Sequence, residues 1–176
     1  MDKAVHRVIE KGIDESLLER WSWTRFKGKR GHTLRIITAY RPNLPHGPYT
    51  VYAQQNAFFH SILRNICPRQ AFLVDLIAAI TLYMELGDHD ILLIDGNSNM
   101  KNSDLCTQLH QLSLCEVILE EHGLQGPATH KRNATSSPID GIWMSPGLKI
   151  EKGGYFAYDK VIPSDHGCLW ADITFM

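Results

Sequence analysis

The chain has 176 residues, of which 44% are hydrophobic, 21% charged and 9% aromatic: enough apolar material for the core of one globular domain, and too short for two full ones. Eighteen Lys and Arg against nineteen Asp and Glu give a net charge of −1, which excludes a strongly basic nucleic-acid coat but leaves room for a local basic patch. The most apolar run, Ala71–Tyr83, contains Asp75 and falls short of the roughly 20 residues a membrane helix needs, so membrane insertion is excluded too.

Taken in chain order, Ala4–Glu19 spaces Val8, Ile9, Ile13, Leu17 and Leu18 among charges in a loosely helical pattern that Gly12 weakens, so residues 1–19 read as a charged N-terminal segment. Trp21–Phe26 and Thr33–Tyr40 are β-rich runs around Lys27-Gly28-Lys29-Arg30-Gly31 and predict a hairpin with basic residues at its tip. Prolines 42, 45 and 48 end the second strand. Helices follow over Tyr52–Asn65, with Phe58, Phe59, Ile62, Leu63 and Ile66 on one face, and from Pro68 to about Leu86. Ile91–Ile94 is continuously apolar and predicts a strand buried on both faces, cut off by Asp95-Gly96-Asn97. Ser103 caps a helix carrying Leu105, Leu109 and Leu112, and Cys115–Glu121 reads as helical up to Gly123. After a polar loop over Gly126–Pro138 come strands at Ile139–Met144 and Cys168–Phe175, with a further one at Tyr155–Ala157. Strands with interspersed helices and no regular βα repeat predict an α+β fold with mixed or antiparallel sheets.

Cys67, Cys106, Cys115 and Cys168 show no Cys-x-x-Cys or Cys/His ligand spacing, and the start lacks the apolar stretch of a signal peptide. Both features point to reduced thiols, no disulfide-linked partner and an intracellular compartment, the nucleus among the options.

Polar residues gather beside three strands: Asp95 and Asn97, Asp140, and Ser164-Asp165-His166. A carboxylate at a strand end is costly to bury unless it is paired or metal-bound. Taken alone, Asp95-Gly96-Asn97 reads sooner as an ordinary turn, while Asp140 has the alternative of a solvent-facing strand residue and Tyr40 that of a packing residue with a wet hydroxyl. Together they suit hydrolysis with a hard divalent ion: carboxylates for Mg²⁺, a carboxylate-paired His for a proton, an amide for a phosphate oxygen.

In order and spacing, Tyr40-Arg41-Pro42-Asn43, Asp95-Gly96-Asn97, Pro138-Ile139-Asp140-Gly141-Ile142 and Ser164-Asp165-His166 resemble the motifs of the endonuclease/exonuclease/phosphatase superfamily over about Trp21–Phe175. The likeness is strongest to apurinic/apyrimidinic endonucleases and the endonuclease domains of non-LTR retrotransposons. It implies a domain over residues 20–176 with two packed mixed sheets flanked by helices, a four-layer α/β/β/α sandwich, and a phosphodiester hydrolase site at one sheet edge. It further implies Mg²⁺ (or Mn²⁺) as cofactor and DNA as partner. Asp95 would activate or orient the attacking water, and Asn97 would hold it or the phosphate. Asp140 would orient His166, which would act on the phosphate or as a base; Asp165 would bind the metal, and Tyr40 would hydrogen-bond the phosphate or the leaving oxygen. Arg41, Asn43, His130 and Arg132 would contact nucleic acid.

The family's leading strands, with an Asn and a metal-binding Glu, are not matched in the 39 residues before Tyr40, where Glu10, Glu15 and Glu19 stand in a different context. The resemblance therefore implies an N-terminally truncated domain. Three functions compete: a DNA endonuclease, an inactive remnant of one, and a phosphatase acting on inositol phosphates or lipids.

Overall fold

The hairpin forms because alternating residues of Trp21–Lys27 (β2) and Thr33–Tyr40 (β3) pair antiparallel, from Trp21 opposite Ala39 to Lys27 opposite Thr33. A computed structural model of the chain describes residues 5–44, 47–131, 137–156, 158 and 163–176. The N-terminal segment is a strand rather than a helix: Val8–Ile13 (β1) pairs antiparallel with β2. β-branched Val8, Ile9 and Ile13 suit an edge strand. Gly12 lies under the Trp23 ring, where an added Cβ would come within 2.4 Å of it.

Val51–Ser61 (α1) is capped by the Thr50 hydroxyl, which accepts from the Ala53 N–H. It stops short of Asn65 because Leu63 turns left-handed at φ 57, leaving that residue 93% exposed rather than on the buried face. Pro68–Glu85 (α2) begins with Pro in its first turn, as predicted, although Leu82 faces outward. Asp88–Asp95 (β4) then pairs parallel with β3 and antiparallel with Asp140–Met144 (β6). Asp104–Gln111 (α3) is capped by Ser103. The expected helix from Cys115 starts later: Cys115–Glu116 (β5) pairs with β6 and Val117–His122 (α4) follows, ending at Gly123 with φ 58. Leu148–Phe156 (β7), longer than predicted, pairs with Cys168–Phe175 (β8); Ala157 lies outside the described residues.

Among the described residues the strands form a mixed six-stranded sheet, order β1-β2-β3-β4-β6-β5, and a two-stranded sheet of β7 and β8. α2 and α3 cover one face of the large sheet, enclosing Ile37, Phe72, Leu76, Leu92, Leu105 and Trp143. β7, β8 and α4 cover part of the other face, enclosing Ile142, Met144, Leu148 and Val117 with Leu34, Ile91 and Ile173. That cover is partial. Leu93 is 37% exposed, so β4 is not buried on both faces as its apolar run suggested. The α+β class with two packed sheets and flanking helices agrees with expectation. All four cysteines are free, and no helix among the described residues is long and apolar enough to cross a membrane.

Candidate active site

Strand register builds the site. Tyr40 sits opposite Asp95 across the parallel β3–β4 ladder, and Asp95 opposite Asp140 across the antiparallel β4–β6 ladder. Ladder partners project from one face, so the three side chains form a row across three strands. They share the face of Ile91 and Ile142, at the end that β7 and β8 leave open. His166, just before β8, points its Nδ1 at this row, 2.9 Å from Asp140 Oδ2 and 3.1 Å from Oδ1. A carboxylate only accepts, so Nδ1 carries the proton and Nε2 the lone pair.

A buried framework holds the row. Gly96 allows the end of β4 to close on α3: a Cβ there would meet Met100 at 2.3 Å and Leu105 at 2.8 Å. Asn97 is left-handed at φ 43; its backbone N–H donates to Asp95 Oδ1 at 3.1 Å and its Nδ2 to the Arg41 carbonyl at 2.8 Å. Arg69, in the first turn of α2, donates to the carbonyls of Pro42 and Asn97 and to Ser98 Oγ. Thr129, 2% exposed, accepts from the N–H groups of Ile139 and Asp140 through Oγ1, fixing the start of β6.

Electrostatically the row is tuned. Burial, with the charge of Asp140 added, raises the Asp95 carboxyl above its ordinary range against the opposing pull of the Asn97 N–H and His166. Burial alone would lower His166, but its hydrogen bond and charge interaction with Asp140, aided by Asp95 and Asp165, outweigh this and raise it. The Asp95, Asp140 and His166 donor atoms lie within 4.8 Å of one another. Two facing carboxylates fit a hard divalent ion, which takes one or two from the protein and completes its shell with water and phosphate oxygen. The imidazole suits such an ion less well.

The structure thus brings together Tyr40, Asp95, Asn97, Asp140 and His166, with His130 and Asp165 alongside: His130 Nε2 lies 3.5 Å from Asp165 Oδ2. Asn43 is exposed nearby, its Oδ1 accepting from the Leu44 N–H. Arg41 is a correction. Its side chain is only 3% exposed and its fork grips Asp104 at 2.9 and 2.7 Å, so it braces the loop instead of facing nucleic acid. Thr129 likewise turns inward from its polar loop, and Arg132 lies outside the described residues. Glu10 sits on β1, at the far edge of the sheet, within 3.9 Å of Arg25. Arg69 and Asp104 went unnoticed in the sequence because their partners are tens of residues away and no local spacing marks them. A separate cavity of about 410 Å³ beside α2 is lined by Asp14, Arg20, Arg64 and Asp75, whose charges are paired with one another.

This is the endonuclease/exonuclease/phosphatase fold, and similar solved structures carry it. The human Nocturnin catalytic domain with bound sulfate superposes with a TM-score of 0.63 at 16% identity, over 97% of this chain and 61% of that one. The 3′ phosphatase NExo from Neisseria, bound to a product DNA hairpin, gives 0.67 at 15% identity, over 96% of this chain and 72% of that one. A mannosyl-6-phosphatase from Bacteroides thetaiotaomicron gives 0.54 at 18% identity, over 88% and 57%. The chain spans about three fifths of the length of the Nocturnin domain and of the mannosyl phosphatase. No protein-family model and no curated protein sequence matches it.

Proposed function

We propose that the protein is a divalent-metal-dependent phosphodiester hydrolase of endonuclease type acting on DNA. The observation that carries this reading is the His166 Nδ1–Asp140 bond at 2.9 Å with Asp95 beside it, three groups delivered to one sheet edge by three separate elements. Asp140 holds the imidazole in one tautomer, so Nε2 can take a proton from the attacking water, or, once protonated, donate to a phosphate oxygen. Asp95, with its raised pKa, is the competing acceptor for the water's proton. Tyr40, 42% exposed, presents its hydroxyl to a phosphate or leaving oxygen. Asn97, held by the Arg41 carbonyl and by Arg69, orients the same oxygens. Asp165, which lies beside the row with its Oδ2 3.5 Å from His130 Nε2, would help hold Mg²⁺ or Mn²⁺, which when bound supplies positive charge against the phosphate oxygens.

DNA is favoured because NExo, with the same fold, was solved on a DNA hairpin. A phosphomonoester reading is supported by the naming of NExo as a 3′ phosphatase and of the Bacteroides protein as a mannosyl-6-phosphatase. Plasmid nicking with Mg²⁺ tests the proposal: the wild type nicks, and Asp95→Ala and His166→Ala each lose about 10²- to 10⁴-fold. Equal nicking by all three overturns it; release of phosphate from a 3′-phosphorylated oligonucleotide without nicking selects the phosphomonoester reading.

A further inference from the structure

His32, in the turn before β3, and His89, near the start of β4, meet at the end of the large sheet opposite the catalytic row. Along β4, His89 and Asp95 are about 20 Å apart at the usual rise of a strand. His32 Nδ1 stands 3.4 Å from His89 Nε2. The far side of the His89 ring is fixed: its Nδ1 donates to the Pro146 carbonyl at 3.1 Å, which leaves the lone pair on Nε2, facing His32. Gly147, left-handed at φ 89, lets the β6–β7 turn close on that ring, since a Cβ there would come within 2.4 Å of His89 Cε1. Phe175, at the end of β8, stacks on the His32 ring with centroids 4.9 Å apart and meets the His89 ring edge-on at 5.2 Å. Asp88, the neighbouring acid, is held elsewhere by Arg25 and Arg35, which take its two oxygens.

We propose that His32 and His89 bind a transition-metal dication of the zinc class, a two-imidazole clip that ties the β2–β3 turn to the start of β4, away from the catalytic row. Ligand nitrogens about 2.0–2.1 Å from a tetrahedral ion are roughly 3.3 Å apart, close to the separation that the two rings already hold. Without an ion a single proton joins the pair, His32 Nδ1–H donating to the His89 Nε2 lone pair. On binding, the His32 proton moves to its own Nε2, and a turn of the ring brings both lone pairs onto the ion. The Pro146 carbonyl supplies the outer support such a site needs: by accepting from Nδ1 it fixes the His89 ring and makes Nε2 a better donor. Nitrogen donors select a borderline ion over Mg²⁺, which prefers oxygen. Both rings are half-buried, so water can complete the shell. The ligands are 57 residues apart in the chain, and only folding sets them at this distance, so the ion binds the folded chain and stabilises it.

The test is a Zn²⁺ titration, in excess Mg²⁺, of the full chain carrying His166→Gln, which keeps the histidines beside the catalytic row from competing as a pair. Binding is followed by calorimetry and by long-range ¹H–¹⁵N spectra of the imidazoles, and the urea midpoint is measured with and without Zn²⁺. The ion binds saturably, the ring nitrogens of His32 and His89 shift with it, and the midpoint rises. Adding His32→Gln or His89→Gln weakens the apparent Kd at least about tenfold and removes the rise, whereas His60→Gln, on an exposed face of α1, stays within about threefold. His32 lies in a turn, so its variant decides the matter if His89→Gln fails to fold. Absence of saturable binding overturns the proposal. So does a folded His32→Gln protein that titrates like its parent. Ring shifts confined to other histidines place the ion elsewhere and overturn it as well.

Discussion

Asp90 and Asp95 belong to one strand, yet β4 turns them to opposite faces and so to different chemistry. Asp95 reaches the open edge, where Asp140 and His166 meet it. Asp90 points into the helix-covered core beside its register partner Arg35, with no solvent exposure. Arg35 is already committed: its Nε and Nη2 donate to Asp88 Oδ2 at 3.0 and 2.7 Å, and its guanidinium lies between the Trp23 and Tyr83 rings at 3.9 and 3.8 Å. Among the described residues neither Asp90 carboxylate oxygen has a hydrogen-bond partner. Burial, opposed by Arg35 and reinforced by Asp88, pushes its pKa up to about 7. Unfolded, the same group titrates near 3.9. Between those values the folded state keeps a proton that the unfolded state has released, so stability is full below about pH 4 and declines as pH climbs toward 7. Asp90→Asn is therefore expected to raise stability at pH 8 by on the order of 2–4 kcal/mol, with no gain at pH 4. Urea melts at the two pH values check it, and a gain that is the same at both would contradict the assignment.

At the scale of elements, local chemistry decided most outcomes. The α2 start at Pro68, the α3 cap at Ser103 and the β2–β3 hairpin were legible because each rests on residues within one turn of the boundary. β1 was not, since its strand character depends on pairing with β2 and on Trp23 covering Gly12. The end of α1 also escaped notice: Arg64 turns to Asp75 on α2, an ion pair that pattern alone does not reveal. β4 shows how far an apolar run can mislead. Leu92 has no exposed surface whereas Leu93, beside exposed Thr38, faces the uncovered part of the sheet. Leu92→Ala is expected to cost about 2–5 kcal/mol and Leu93→Ala less than about 1 kcal/mol. Chemical denaturation of the two variants measures the difference; equal costs would mean that both faces of β4 are buried.

For the whole molecule, the large sheet acts as a frame that carries Tyr40, Asp95 and Asp140 on adjacent strands, while the two-stranded sheet delivers His166 from the end of the chain. That Tyr40, Asp95 and Asp140 stand together was legible in the sequence because each ends or opens an apolar strand in a recognisable order. The residues that brace it were not: Arg41 looked like a nucleic-acid contact until Asp104 was seen against it, and Arg69 and Thr129 act on backbone carbonyls and amides that only the fold brings near. The central claim is that this row hydrolyses phosphoesters, and it is tested most directly without DNA specificity intervening. The measurement is Mg²⁺-dependent hydrolysis of bis(4-nitrophenyl) phosphate by the wild type and by Asp140→Asn. The account predicts metal-dependent turnover by the wild type and a loss of at least about 100-fold in the variant, whose amide no longer sets the His166 tautomer or raises its pKa. Equal rates in the two proteins, or no metal-dependent turnover by the wild type, would contradict it.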